Sequence, residues 1–103
     1  MSDRLAALQA IVASNGGDVF ARYALGMEYA ALRRFDDACR ELAACIRLDA
    51  SYLPAYVEAG KAHRAAGRLK EATEWFLKAS ELAARTGDTH AADRIGGHLE
   101  GLA

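Results

Sequence analysis

Three histidines (His63, His90 and His98) and two cysteines (Cys39 and Cys45) have the side-chain chemistry to serve as general bases, nucleophiles or metal ligands. Their spacing argues against all three roles. The two cysteines fall on one predicted helix, where six residues set them about 9 Å apart along the axis and on different faces, too far to bridge. The pair matches no Cys/His ligand pattern, so both read as free thiols in a reducing cytoplasm, and no metal is expected. His90 and His98 lie on a segment that also holds Gly96, Gly97 and Gly101, a poor support for catalytic geometry. No Ser/His/Asp grouping or carboxylate pair stands out, and Gly96-Gly97 has no strand before it to make a phosphate loop. An enzyme would need a pocket around His63; the expectation is a non-enzymatic chain without a cofactor.

The elements that would position these residues are all helices. Leu5, Leu8, Ile11 and Val12 form one stripe over residues 3–14, with Ser2 or Asp3 to cap it. Asn15-Gly16-Gly17 ends that helix, and Asp18 caps a second one running to about Leu32. Arg33 and Arg34 connect to a third, where Asp36 and Asp37 place negative charge at the positive end of the dipole. A fourth carries Pro54 in its first turn and closes at Gly67. A fifth covers 69–84, with Glu74 and Lys78 as an i,i+4 pair. After Arg85-Thr86-Gly87, Asp88 or Thr89 caps a last helix, weakened by about 1 kcal/mol at each glycine.

Bulk properties agree with this outline. The chain has 103 residues, 52% hydrophobic and 26% charged, with a formal net charge of −1. That length buries roughly 60–70% of its unfolded surface, enough for one core. The near-neutral charge gives no general field for nucleic acid or an anionic membrane. No run approaches the ~20 apolar residues of a membrane span, and Met-Ser-Asp-Arg does not open a signal peptide. The excess of Arg over Lys and the abundance of Ala fit a GC-rich bacterial genome.

Gly26 and Gly60 stand thirty-four residues apart, and Ala38–Ala72, Phe35–Leu69, Leu42–Phe76, Cys45–Ala79 and Leu48–Leu82 keep the same interval. Such a period marks stacked copies of one unit. The unit resembles the tetratricopeptide repeat (TPR) family, through Leu25-Gly26, Tyr29, Ala38, Leu42 and Cys45 in residues 19–52. Tyr56, Gly60, Ala72, Phe76 and Ala79 match it in 53–86. Arg22, Ala59, His63, Ala50 and Ala84 depart from the family's pattern, and Arg33 stands where a turn glycine is common. Leu8, Ile11 and Asn15 precede Leu42, Cys45 and Asp49 by the same interval, so residues 3–17 read as half a repeat. The register fails at Asp93-Arg94, and residues 88–102 read as a capping helix over an otherwise open apolar face. The expected fold is one all-α domain, a TPR-like stack of antiparallel helix hairpins with about six helices.

The resemblance implies a scaffold that holds a peptide or helix of a partner protein in a concave groove. Carried over by position, the groove would be lined by Phe20, Tyr23, Met27, Ala30 and Ala31 in the first repeat. Val57, Lys61, Arg64 and Ala65 would follow in the second. The first set is apolar and the second basic, which suits an amphipathic or acidic-ended peptide. Phe20 and Tyr23 could instead pack on the first helix. Some members grip a C-terminal carboxylate, but Met27 stands where they carry Asn, leaving Lys61 and Arg64 to hold one carboxylate. His63 stands at a packing Tyr position and Cys45 at a small-residue contact. Trp75 is expected beneath the capping helix. Arg33, Arg34, Arg64 and Arg68 cluster near two turns among acidic residues, a weak case for RNA. The alternative function is self-association as a homodimer, since a two-repeat array has little stability to spare.

Overall fold

The computed structural model describes residues 3–103, so the cap offered by Ser2 lies outside the described residues. The described residues form six helices: α1 Asp3–Ser14, α2 Val19–Ala31, α3 Phe35–Leu48, α4 Leu53–Ala65, α5 Leu69–Thr86 and α6 Thr89–Glu100. No strand occurs among the described residues. The Asp18 carboxylate accepts from the Ala21 N–H at 3.0 Å, and Asp88 accepts from Ala91 at 3.0 Å. Each satisfies a first-turn donor that has no partner inside its helix. Pro54 sits in the first turn of α4. Asp37, at the start of α3, bridges Arg40 at 2.7 Å and Arg34 at 2.9 Å, and hydrogen bonds from these guanidinium groups hold its carboxyl below the usual value.

The α2–α3 and α4–α5 turns share one geometry. Arg33 takes φ 62° in the first and Gly67 takes φ 79° at the matching place in the second. Glycine enters this left-handed region freely, whereas a side-chain-bearing residue is destabilised there by about 1–2 kcal/mol.

Short connections make successive helices antiparallel neighbours, and α2 also touches α4. Three apolar clusters follow one another through the stack. Leu5, Leu25, Tyr29 and Ala38 join α1 to α2 and α3. Leu42, Cys45, Ala55 and Ala59 join α3 to α4. Ala72, Phe76, Ala79, Ala83, Ala91 and Ile95 join α5 to α6. The repeated glycines set how closely the helices pack. A Cβ on Gly60 would stand 2.6 Å from Phe76 Cε1, and one on Gly26 would stand 3.0 Å from Leu42 Cγ.

Several details differ from the sequence expectations. Ile11 is 47% exposed rather than part of the buried stripe; α1 turns Leu5 inward and leaves Leu8 and Val12 half-buried. Helix α5 runs two residues past 84, to Thr86, and ends at Gly87 with φ 72°. Trp75 does not lie beneath α6. It packs half-buried against the Leu42–Cys45–Ala55–Ala59 cluster, with its ring 6.0 Å from Tyr56. Phe76, turned about 100° around the helix from Trp75, is the residue under α6. The Glu74–Lys78 pair is replaced by a cation–π contact, with Lys78 Nζ 4.6 Å from the Trp75 ring centroid. The burial pattern also resumes in α6 at a new interval: Ala91 and Ile95 are buried thirty-six residues after Ala55 and Ala59. Helix α5 has 18 residues against 14 in α3, and the shorter connection after it leaves a net two added residues, so α6 stacks beside α4 in the manner of another first helix.

Candidate functional site

Two adjoining pockets open on the face built by α2, α4 and α6. The first, of about 390 Å³, lies between α2 and α4 and is lined by Met27, Ala30, Ala31, Lys61, Arg64 and Ala65, with Phe35, Glu58 and Ala62. The second, also about 390 Å³, is lined by Tyr23, Val57, Lys61, Arg94 and His98, with Leu53, Pro54, Glu58 and Asp88. Glu58 and Lys61 line both and form the ridge between them, with Lys61 Nζ 3.3 Å from Glu58 Oε2. Helical spacing brings these residues together. Positions 23, 27 and 30–31 lie along one face of α2, and 57–58, 61 and 64–65 along one face of α4.

Eight of the nine residues expected in the groove therefore line these pockets: Tyr23, Met27, Ala30, Ala31, Val57, Lys61, Arg64 and Ala65. Phe20 does not. It is 72% exposed at the start of α2, with its ring edge-on to Tyr52 at 5.8 Å. Tyr23 also meets Tyr52, at 5.4 Å, so neither ring packs on α1. Burial, with Glu58 nearby, pushes the Tyr23 hydroxyl up to about 12. Tyr23 therefore offers the pocket a neutral donor across the physiological range.

Sequence reasoning missed the contribution of α6. Arg64 Nη1 is 2.9 Å from His98 Nδ1. A guanidinium can only donate, so the imidazole accepts at Nδ1 and is neutral. The His98 ring stacks on Phe76 with centroids 4.8 Å apart and planes 3° from parallel, and the Arg64 guanidinium lies 5.5 Å from the same ring. Burial first, then Arg64 and Lys61, lower the His98 pKa from its usual 6.5. The signal available in the sequence was the Ala91/Ile95 pair, which repeats the Ala55/Ala59 spacing and turns His98 and Arg94 toward α4.

The other chemistry-bearing residues are accounted for by packing. His63 Nδ1 accepts from Arg68 Nε at 3.0 Å, and Arg68 reaches Asp36 at 3.1 Å and Cys39 Sγ at 3.9 Å. Burial lowers the His63 pKa. Cys45 is fully buried with Sγ 3.6 Å from the Val19 carbonyl, and burial pushes its thiol up to about 11. Burial raises the Cys39 thiol as well. Such thiols are unreactive. Among the described residues no group of three or more His, Cys, Asp or Glu could hold a metal ion, and no helix is long and apolar enough to cross a membrane. The arginines near the turns do not form a free basic patch, since Arg34 and Arg68 are each paired with a carboxylate and Arg33 lies over Phe35.

The comparisons with known proteins agree with this architecture. A family model for the tetratricopeptide repeat matches residues 21–52 and 53–92. No curated protein matches the sequence. Among solved structures, PcrH in complex with the chaperone binding region of PopD is similar at TM-score 0.88 and 23% identity, over 95% of this chain and 74% of that one. The Yersinia enterocolitica type III secretion chaperone SycD, in complex with a peptide of the translocator YopD, is similar at 0.87 and 21%, over 95% and 76%. Protein BPP2914 from Bordetella parapertussis is similar at 0.86 and 25%, over 99% and 89%.

Proposed function

The chain belongs to the tetratricopeptide repeat family, and from that premise we propose that it is a non-enzymatic, cytoplasmic interaction module. In this reading it holds a peptide or helix of a partner protein in the groove between α2 and α4. The observation that carries the reading is the pair of adjoining pockets, apolar at Met27, Ala30 and Val57 and charged along Glu58, Lys61 and Arg64. Pockets that accept alternate side chains of one ligand, with polar groups between them, are how a shallow groove gains specificity. PcrH and SycD, which carry partner segments in their complexes, lend support through the fold they share with this chain.

The test uses amidated 12-residue peptides, selected on an array against the wild-type protein and measured by fluorescence polarisation. Met27→Glu and Val57→Glu should each weaken binding about tenfold or more. Leu77→Glu, at an exposed position on α5, should leave it unchanged. Loss confined to Leu77→Glu would move the site to the opposite face.

A second reading, self-association, has Ile11 behind it, because this large apolar side chain is half exposed on the outer helix. Sedimentation at several concentrations separates the readings. A monomer throughout removes this one.

A further inference from the structure

We propose that the α4/α6 edge of the groove is a carboxylate-binding subsite, and that the ligand is therefore a peptide carrying an Asp or Glu side chain close to an apolar anchor. We further propose that His98 makes occupancy of this subsite depend on pH. This rests on the groove reading above and adds the chemistry of what the groove selects.

The inference starts from which cations lack a counter-charge. Arg4, Arg22, Arg34, Arg40, Arg68 and Arg85 each stand 2.6–3.2 Å from a carboxylate. Among the described residues Arg33, Arg47, Arg64 and Arg94 have no such partner, and two of these meet at one place. Arg94 lines the second pocket with His98, one turn apart on α6, and Arg64 donates to His98 from α4. Of the acids nearby, Glu58 is paired with Lys61 at 3.3 Å, while Asp88 caps α6 through the Ala91 N–H at 3.0 Å with no cation paired to it, so the two arginines stand against one acid. The uncompensated charge at this edge is positive.

Geometry favours a carboxylate over other anions and a side chain over a chain end. Arg64 is half-buried over the Phe76 ring and gives one donor to a neutral imidazole. Its remaining N–H groups can take the planar, two-oxygen pattern that a guanidinium matches. The subsite also lies where the two pockets share Glu58 and Lys61. A ligand filling both pockets must run on past this point, so the acid belongs to an internal residue.

The pH dependence follows from what faces His98. Helix α2 presents Tyr23, α4 presents Glu58, Lys61 and Arg64, and α5 presents only the Phe76 ring. Its own end contributes Asp88 and Arg94. With the site empty, burial first and then the cations disfavour an imidazolium. A ligand carboxylate reverses that balance, so binding takes up a proton. Affinity then rises as pH falls from 8 to 6, a range in which the ligand acid stays ionised.

The probes are amidated 12-residue peptides with one Leu and a Glu at varied distance from it. Each has a Gln twin and a twin with a free C-terminus, and all are measured by fluorescence polarisation. The Glu peptides should bind about tenfold tighter than their Gln twins. The preference should vanish in Arg94→Gln, an exposed position where folding is not at stake, and in Arg64→Gln. Binding should strengthen about threefold to tenfold from pH 8 to pH 6 in the wild type, and stay flat in His98→Gln with helicity followed by circular dichroism. If Glu and Gln twins bind alike while Met27→Glu abolishes both, the groove stands and the subsite does not. A gain from the free C-terminus alone also overturns the subsite. Binding indifferent to Met27→Glu removes the groove and the subsite together.

Discussion

Arg64 and His98, on different helices and thirty-four residues apart, meet through a 2.9 Å contact in which arginine holds the proton. The same arrangement recurs where Arg68 Nε donates to His63 Nδ1 at 3.0 Å. Both imidazoles are thus built into the fold in their neutral form, beside a permanent cation. Protonation breaks each contact and places two positive charges together.

Stability should therefore depend on pH in the histidine range. Both histidines have folded-state pKa values below the usual 6.5. The unfolded chain then binds more protons in that range, and the stabilisation, complete above pH 6.5, is lost as pH falls through the lower folded values. The thermal midpoint should drop between pH 7.5 and 5.5, before the carboxylates titrate. His98→Gln should remove part of the drop, and the double variant His63→Gln/His98→Gln most of it. A midpoint that rises on acidification contradicts this account.

The two repeat glycines should respond differently to the same change. A methyl on Gly60 meets Phe76 at 2.6 Å, and that ring is fully buried and stacked on His98. Overpacking outweighs the gain in helix propensity, so Gly60→Ala should destabilise by about 1–2 kcal/mol. Gly26 faces Leu42 at 3.0 Å, where a small side-chain shift suffices. Gly26→Ala should stay within about 1 kcal/mol of wild type. Urea denaturation of both variants checks the contrast.

Two changes should stabilise. Arg33 holds φ 62° where the next repeat has Gly67, so Arg33→Gly should gain roughly 0.5–1 kcal/mol by relieving a left-handed backbone. Gly97 is helical, and a Cβ there meets nothing within 4 Å. Gly97→Ala should add about 0.5–1 kcal/mol and firm the end of α6. Thermal melts read both, and a loss in either case counts against the backbone argument.

The repeat was legible because its small residues have one job: Gly26, Gly60, Ala38 and Ala72 mark where helices come close, and that contact recurs with the period. Trp75 and Phe76 were less legible. Neighbours on a helix point about 100° apart, and the sequence alone does not say which of two aromatics faces the next hairpin. A longer α5 followed by a shorter connection shifted the register of α6 by two residues, which concealed that α6 stacks beside α4 and contributes Arg94 and His98. The α2 and α4 positions of the groove followed from the resemblance to the tetratricopeptide repeat, whose first helices line the concave face. Phe20 did not, because the pockets begin one turn further along α2 and its ring turns to Tyr52 instead.

The central claim is that partners dock on the α2/α4 face, and backbone amide NMR of the labelled protein titrated with an array-selected peptide tests it most directly. The account predicts saturable shifts concentrated at Tyr23, Met27, Ala30, Val57, Lys61 and Arg64, with α1 and the exposed side of α5 silent. Saturable shifts centred on Ile11 or Leu77, with those six residues unmoved, would contradict it.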